Sequence, residues 1–318
     1  MSDIHVLAAV KPSPLLAPQL NAAYTLHECL HETDPAAFAA VAPLVRGISA
    51  SGDSKVPAAL IAQLPALEII SVMGVGYDGV DVAAAKARGV VVTHTPNVLN
   101  DDVADLALGL MLCCARQLPA ADRYVREGRW LKATMPLARK MSGTRLGIVG
   151  MGRIGQAIAQ RALAFGMQIA YTARSAKPEM PFAFLPSAAA LAAEVDFLVL
   201  ITPGGAGTKH LIDAAVLQAL GKGRGAGILV NVARGSVVDE AALVDALERG
   251  VIAGAGLDVF EDEPRVPQRL IALPQVVLVP HIGSATGQTR QAMADLCFAN
   301  LQAHFAGRPL LSPVPECA

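Results

Sequence analysis

Short β-branched and aliphatic runs alternate along this chain with alanine-rich stretches. His5–Val10, Leu67–Val72, Val90–His94, Leu146–Val149, Gln168–Thr172, Phe197–Ile201, Ile228–Val232, Ala253–Val259 and Val276–Val279 read as strands. Val103–Gln117, Gln156–Phe165, Glu240–Arg249 and Thr289–Ala306 read as helices. Several strand runs are apolar throughout rather than alternating, the pattern of parallel strands covered on both faces. Alternating β and α elements then predict an α/β fold with right-handed crossovers. A length of 318 residues suits about two domains. Pro96-Asn97 breaks the first α/β third, and a long helix follows that Asn100 or Asp101 can cap. A second α/β unit opens at Leu146. The last helix, after a Pro/Gly-punctuated loop, can return to the first unit. The expected division is therefore 1–97 with 287–318 around an inserted 98–286.

With 53% hydrophobic residues, a membrane span has to be tested. A spanning helix needs about 20 mostly apolar residues. The longest stretch without Lys, Arg, Asp or Glu, Leu270 to Thr289, contains Pro274, Pro280 and His281, so no span is expected. The apolar excess belongs to wide cores or to a subunit interface. A net charge of -1 excludes a strongly basic nucleic-acid binder. The N-terminus lacks a basic region followed by a long apolar one, so a cytoplasmic protein is expected. Cys29, Cys113, Cys114, Cys297 and Cys317 form no CxxC pair and read as reduced, buried thiols. No metal site is expected.

Between the strand at Leu146 and the helix at Gln156 stands Gly150-Met151-Gly152-Arg153-Ile154-Gly155. A lone GxGxxG is weak, but this one opens a βαβ unit. Gly150 permits the tight turn, Gly152 lets backbone approach a pyrophosphate, and Gly155 permits close helix–strand packing. The helix N-terminus offers N–H groups to the phosphates. A site for NAD(H) places a carboxylate about 20 residues further on, to hold the ribose 2′-OH. Here that stretch is Tyr171-Thr172-Ala173-Arg174-Ser175-Ala176-Lys177, without a carboxylate. Arg174 and Lys177 can pair with a 2′-phosphate and Ser175 can donate to it, so NADP(H) is expected over NAD(H).

Three successive strand runs end in polar residues: Ala233-Arg234-Gly235, Phe260-Glu261-Asp262-Glu263-Pro264 and Pro280-His281-Ile282-Gly283-Ser284. In an open parallel sheet, ligands bind at the strands' carboxyl ends. An Arg, a Glu and a His placed there suit hydride transfer to a 2-oxo acid. Arg234 can hold the carboxylate and polarise the keto oxygen. His281 can donate a proton to that oxygen, and Glu263 can orient the imidazole and favour its charged form.

The segments MGVGYD at 73–78, TPNVL at 95–99, GMGRIG at 150–155, NVARGSVVDE at 231–240, GAGLDVFEDEP at 254–264 and PHIGSAT at 280–286 resemble the D-isomer-specific 2-hydroxyacid dehydrogenases. The resemblance spans most of the chain. It implies two Rossmann-like domains with parallel sheets, the nucleotide-binding domain inserted into a flavodoxin-like substrate domain. The family's Arg/Glu/His triad falls on Arg234, Glu263 and His281. The resemblance also implies that Val75 and Gly76 offer backbone amides to the substrate carboxylate. It implies that Asp258 contacts the nicotinamide carboxamide, that Thr202-Pro203 flanks the cofactor, and that Ala233 and Ser284 line the nicotinamide. It implies a homodimer, to whose interface the apolar helix from Val103 suits, and a Trp130 that reaches the partner's substrate. The nearest resemblance is to NADPH-dependent glyoxylate/hydroxypyruvate reductases, with aryl-pyruvate reductases of the hydroxyphenylpyruvate type as the alternative. A dinucleotide-sensing corepressor is a further reading, in a chain without an extended tail.

Overall fold

The computed structural model describes residues 3–222 and 225–317. The chain divides into two compact units, Met1–Leu99 with Ala285–Ala318, and Asn100–Ser284.

The first unit holds β1 (His5–Ala8), β2 (Thr25–Glu28), β3 (Val45–Ser51), β4 (Ile69–Met73) and β5 (Val91–Thr93). They form one parallel sheet in the order β2-β1-β3-β4-β5, the flavodoxin-like order. All five residues of β4 are buried, which is why this run carries no polar alternation. The helix Gly287–Phe305 packs on β4. Ser71 of β4 donates to the Cys297 carbonyl at 2.9 Å and accepts from Thr93 at 3.0 Å. Two of the strands, β2 and β3, lack the apolar signature. β2 lies at the sheet edge and is only half-buried. β3 contains Arg46, whose Nε donates to Glu68 at 2.5 Å while its guanidinium lies 5.2 Å from the Phe305 ring centre.

The second unit holds β6 (Arg145–Val149), β7 (Gln168–Thr172), β8 (Ala183–Phe184), β9 (Phe197–Leu200), β10 (Ile228–Asn231), β11 (Gly254–Leu257) and β12 (Val276–Leu278). Their order is β12-β11-β10-β9-β6-β7-β8, with every pair parallel. The strand order reverses between β6 and β9, the switch point where a crevice opens at the carboxyl ends. The helix Asn100–Arg116 begins at Asn100. Asp101 and Asp105 spend their carboxylates on Arg161. Seven of its residues are buried against its own unit, and a Cβ on Gly256 of β11 would come within 3.0 Å of the Leu110 Cβ. Downstream of it, Leu118, Val125, Trp130, Leu131 and Leu137 are exposed.

Among the described residues no single helix is long and apolar enough to cross a membrane. The five thiols are unbridged. Only Cys297 is fully buried, and burial pushes its thiol up to about 11; the other four are half-buried, contrary to the expectation of uniformly buried thiols.

The last helix is locked to the C-terminal segment by Asn300, which is fully buried. Its carbonyl accepts from the Leu311 and Ser312 amides, and its amide group donates to the Ser312 hydroxyl and the Leu296 carbonyl. Asn300→Leu strands those partners in an apolar setting, at a cost of about 2–4 kcal/mol. In urea titration followed by circular dichroism, the first unfolding transition should move to lower urea.

Candidate active site

The glycine turn after β6 is dictated by backbone clearance. Gly150 adopts φ +106°, and a Cβ there would stand 2.7 Å from the Ile201 carbonyl oxygen. A Cβ on Gly155 would stand 2.1 Å from the Gly150 oxygen. Gly152 faces open space and begins the helix Arg153–Ala164 with no side chain capping it. That leaves a helix N-terminus, with its partial positive charge, at the switch point of the sheet. The hydroxyl of Thr202, just past the end of neighbouring β9, is buried without a hydrogen-bond partner. An open glycine cradle beside an orphaned hydroxyl fits a dinucleotide. The turn after β7 lies alongside, since the Gly150 amide donates to the Thr172 carbonyl at 2.9 Å. The buried Tyr171 hydroxyl accepts from the Lys177 amide at 2.7 Å and sets the shape of that turn. Arg174 and Ser175 project from it exposed, as do Arg153 and Pro203 from their own loops, while Ile154 and Lys177 are half-buried.

The polar strand ends converge. His281 sits in the left-handed region at φ +52°. Its amide is held by the carbonyls of Asp258, at 2.8 Å, and Val279, at 3.1 Å. Its Nδ1 lies 2.8 Å from Glu263 Oε2. An ionised carboxylate can only accept, so Nδ1 carries the proton in this bond. The other carboxylate oxygen, Oε1, accepts from the Phe260 amide at 2.9 Å. Burial pushes the Glu263 carboxyl up, but the bonds from His281 and Phe260 and the charges of His281 and Arg234 outweigh it and hold the group below the usual Glu range. Glu263 is therefore an anion at neutral pH, locked in place, and it favours the charged imidazole.

Arg234 follows β10 in an extended conformation. Its turn is shaped by a residue that spacing arguments miss, Asn231, which is buried. The Asn231 side chain accepts from the Ala233 amide at 3.0 Å and donates to the Arg234 carbonyl at 2.9 Å. Gly235 is required by contact: a Cβ would lie 1.9 Å from Phe260 backbone atoms. The turn bearing Arg234 thus rests directly on the loop bearing Glu263.

Asp258 is buried, and both carboxylate oxygens accept backbone amides, Ile282 at 2.6 Å and Gly283 at 2.9 Å. It shapes the turn that presents His281. Burial raises its pKa, and the two amides only partly offset this. Ala233 is buried and Ser284 half-buried at the same strand ends. Val75 and Gly76 belong to the first unit, at the carboxyl end of β4, where the Val75 carbonyl meets His94 Nδ1 at 2.9 Å. Trp130 lies on a short helical turn, 68% exposed, and is not brought to these strand ends.

Residues 108–283 match the family model described as D-isomer specific 2-hydroxyacid dehydrogenase, NAD binding domain. The chain is 45% identical to a hydroxyphenylpyruvate reductase from Plectranthus scutellarioides, over 99% of this chain and 100% of the relative. It is 47% identical to glyoxylate/hydroxypyruvate reductase A of Arabidopsis thaliana, over 85% of each. Among solved structures, an NADPH-dependent glyoxylate/hydroxypyruvate reductase from Sinorhizobium meliloti, in complex with NADP and malonate, superposes with a TM-score of 0.93. That chain is 46% identical, with 99% of this chain and 98% of the other covered. With the nucleotide cradle and the Glu263–His281 pair on one sheet edge, the chain belongs to the D-isomer-specific 2-hydroxyacid dehydrogenases, oxidoreductases that use a nicotinamide cofactor.

Proposed function

We propose that this enzyme reduces a small 2-oxo acid, glyoxylate or hydroxypyruvate, to the D-2-hydroxy acid with NADPH. The observation that carries the reading is the 2.8 Å bond from His281 to an anionic Glu263, beside Arg234. When bound, the cofactor supplies a hydride to the substrate's carbonyl carbon. Arg234 binds the carboxylate and draws electron density toward the keto oxygen. The protonated His281 gives its Nε2 proton to that oxygen, and Glu263 holds the ring at the required angle. In the oxidative direction His281 takes the proton back. The Arg174-Ser175-Ala176-Lys177 turn supports NADPH, because it presents two cations and no carboxylate where a ribose 2′-phosphate would lie. Homologues of both kinds, glyoxylate/hydroxypyruvate and hydroxyphenylpyruvate reductases, support a 2-oxo acid substrate and leave aryl pyruvates as the second reading. The exposed apolar residues between Leu118 and Leu137 support a homodimer.

A panel of 2-oxo acids with each cofactor tests the main reading by NAD(P)H absorbance. Glyoxylate or hydroxypyruvate should give the highest kcat/KM, and NADPH the lower KM. A hydroxyphenylpyruvate optimum would replace the substrate, and a clear NADH preference would replace the cofactor. Arg174→Ala should raise the KM for NADPH about tenfold and leave that for NADH unchanged, as expected for losing one charge-assisted bond.

His281→Asn should lower kcat roughly 10²–10⁴-fold with cofactor binding intact, because only the proton transfer is lost. Glu263→Gln tests the electrostatics. Reduction needs the charged imidazole, and the anion stabilises that form. Without it the imidazole loses its proton at lower pH, so the alkaline limb of the kcat profile for reduction should move to lower pH. A profile unchanged from the wild type would remove Glu263 from this role.

Sedimentation velocity tests the assembly, with a dimer expected. Trp130→Ala should raise the KM for the 2-oxo acid if the partner's tryptophan reaches the substrate. An unchanged KM confines Trp130 to the surface.

A further inference from the structure

The second unit contains another histidine–carboxylate pair, outside the catalytic set. His210, in the loop after β9, places Nε2 2.7 Å from Glu261 Oε1. Glu261 is two residues from Glu263, on the same strand-end loop. The backbone of His210 is in the left-handed region at φ +50°, a conformation that non-glycine residues adopt at a cost. Both side chains remain over one-third exposed, at 38% and 35%. An exposed pair of this kind contributes little to global stability. Its geometry therefore needs another reason.

The bonds around His210 supply one. The His210 amide donates to the Ser236 carbonyl at 2.8 Å, in the turn that follows Arg234. Two residues on, the Ile212 amide donates to the Val237 carbonyl, and the Asp239 amide donates back to the Ile212 carbonyl, both at 3.0 Å. The same loop is tied toward the cofactor cradle, because the Thr208 hydroxyl donates to the Pro203 carbonyl at 2.8 Å. On the far side, the Glu261 amide donates to Glu240 Oε2 at 3.3 Å. Burial raises the Glu240 carboxyl, and the nearby charges of Glu261 and Asp262 add to it. His210 thus faces a local excess of acidic groups, Glu261, Glu240 and Asp262. Its N–H donor offsets the crowding on Glu261.

We propose that His210 is a positioning residue: bonded at once to Glu261 and to the Ser236 carbonyl, it holds the loop that carries Glu263 against the turn that carries Arg234 and against the Thr202-Pro203 loop. The role is transmitted through backbone. Gly235 touches the Phe260 and Glu261 main chain directly, and the Phe260 amide is itself a ligand of Glu263 Oε1. Loss of the His210–Glu261 bond lets residues 260–263 shift, and Glu263 then holds His281 less well. The proposal rests on the reading of Glu263 and His281 as the acid–base pair.

The test compares His210→Ala, His210→Gln and Glu261→Ala with the wild type. His281 is titrated by NMR of its ring protons in the full-length enzyme, which needs no substrate. In His210→Ala the midpoint of His281 should fall by roughly half a unit, as its anionic partner becomes less well placed. With the 2-oxo acid that the wild type turns over, kcat should fall about fivefold to tenfold, while the KM for NADPH stays within about twofold. His210→Gln should recover most of kcat, because its amide can still donate to Glu261. Glu261→Ala, which removes the acceptor, should resemble His210→Ala. A His281 midpoint and kcat at wild-type values in His210→Ala would overturn the proposal, and so would a His210→Gln variant as impaired as His210→Ala. A wild type inactive on every 2-oxo acid would sink the functional reading alone; the NMR titration would still decide the role of His210.

Discussion

The active edge of this enzyme depends on parallel registration of three neighbouring strands. Asn231 stands opposite Leu257, and Leu257 opposite Leu278, so β10, β11 and β12 finish at one level. The chain therefore leaves the sheet at three adjacent points, carrying Arg234, Glu263 and His281. A parallel ladder enforces this because every strand runs the same way, and each loop emerges on the ligand side. What the loops add is fine adjustment. Asn231 folds the first turn back on itself, Asp258 grips the amides after His281, and Gly235 removes the side chain that would hold the first two loops apart. A buried asparagine and a buried aspartate are costly unless bonded, and here each is satisfied by backbone of the same site. The polar groups inside this edge thus shape the turns that carry Arg234 and His281.

The two carboxylates at the edge are driven in opposite directions. Glu263 is held below its usual range, since bonds from His281 and the Phe260 amide and the charges of His281 and Arg234 outweigh burial. Asp258 is raised, since burial outweighs its two amide bonds. The difference lies in burial and in bonding: Asp258 is 2% exposed, while the Glu263 side chain keeps 30%. Glu263 bonds directly to the imidazole and feels the guanidinium, whereas Asp258 bonds only to neutral amides. Sites that separate the proton affinities of neighbouring groups assign them different work. Glu263 is suited to stabilise a charged imidazole, and Asp258 to hold the backbone that positions it.

The α/β architecture was legible because the central strands are buried on both faces, and continuous apolar runs report that condition directly. β2 escaped because an edge strand needs no such run, and β3 because Arg46 is neutralised by Glu68 and covered by Phe305, partners distant in sequence. β8, only Ala183–Phe184, is too short to carry a pattern. The pairing of Glu263 with His281 followed from chemistry at strand ends. The supports at Asn231, Gly235, His210 and Glu261 did not, because each acts through a contact with another loop. Glu261-Asp262-Glu263 looks like a run of surface acids until His210 is seen to claim one of them.

Apolar content shows the same dependence on tertiary context. Composition alone could not distinguish a core helix from an interface helix, and the run Val103–Gln117 invited the second reading. The helix Asn100–Arg116 is largely spent on its own sheet, where Gly256 brings Leu110 onto β11. Part of the exposed apolar surface is carried by the less hydrophobic segment that follows, in which Leu118, Val125, Trp130, Leu131 and Leu137 project among charged residues. Those side chains are exposed in a polar context, whereas the core helix beside them hides seven of its residues. The helix Asn100–Arg116 turns its apolar face inward and keeps Asp101 and Asp105 at the surface. The amount of hydrophobicity in a segment therefore argued for burial. Only its distribution could say whether that burial was completed within the unit.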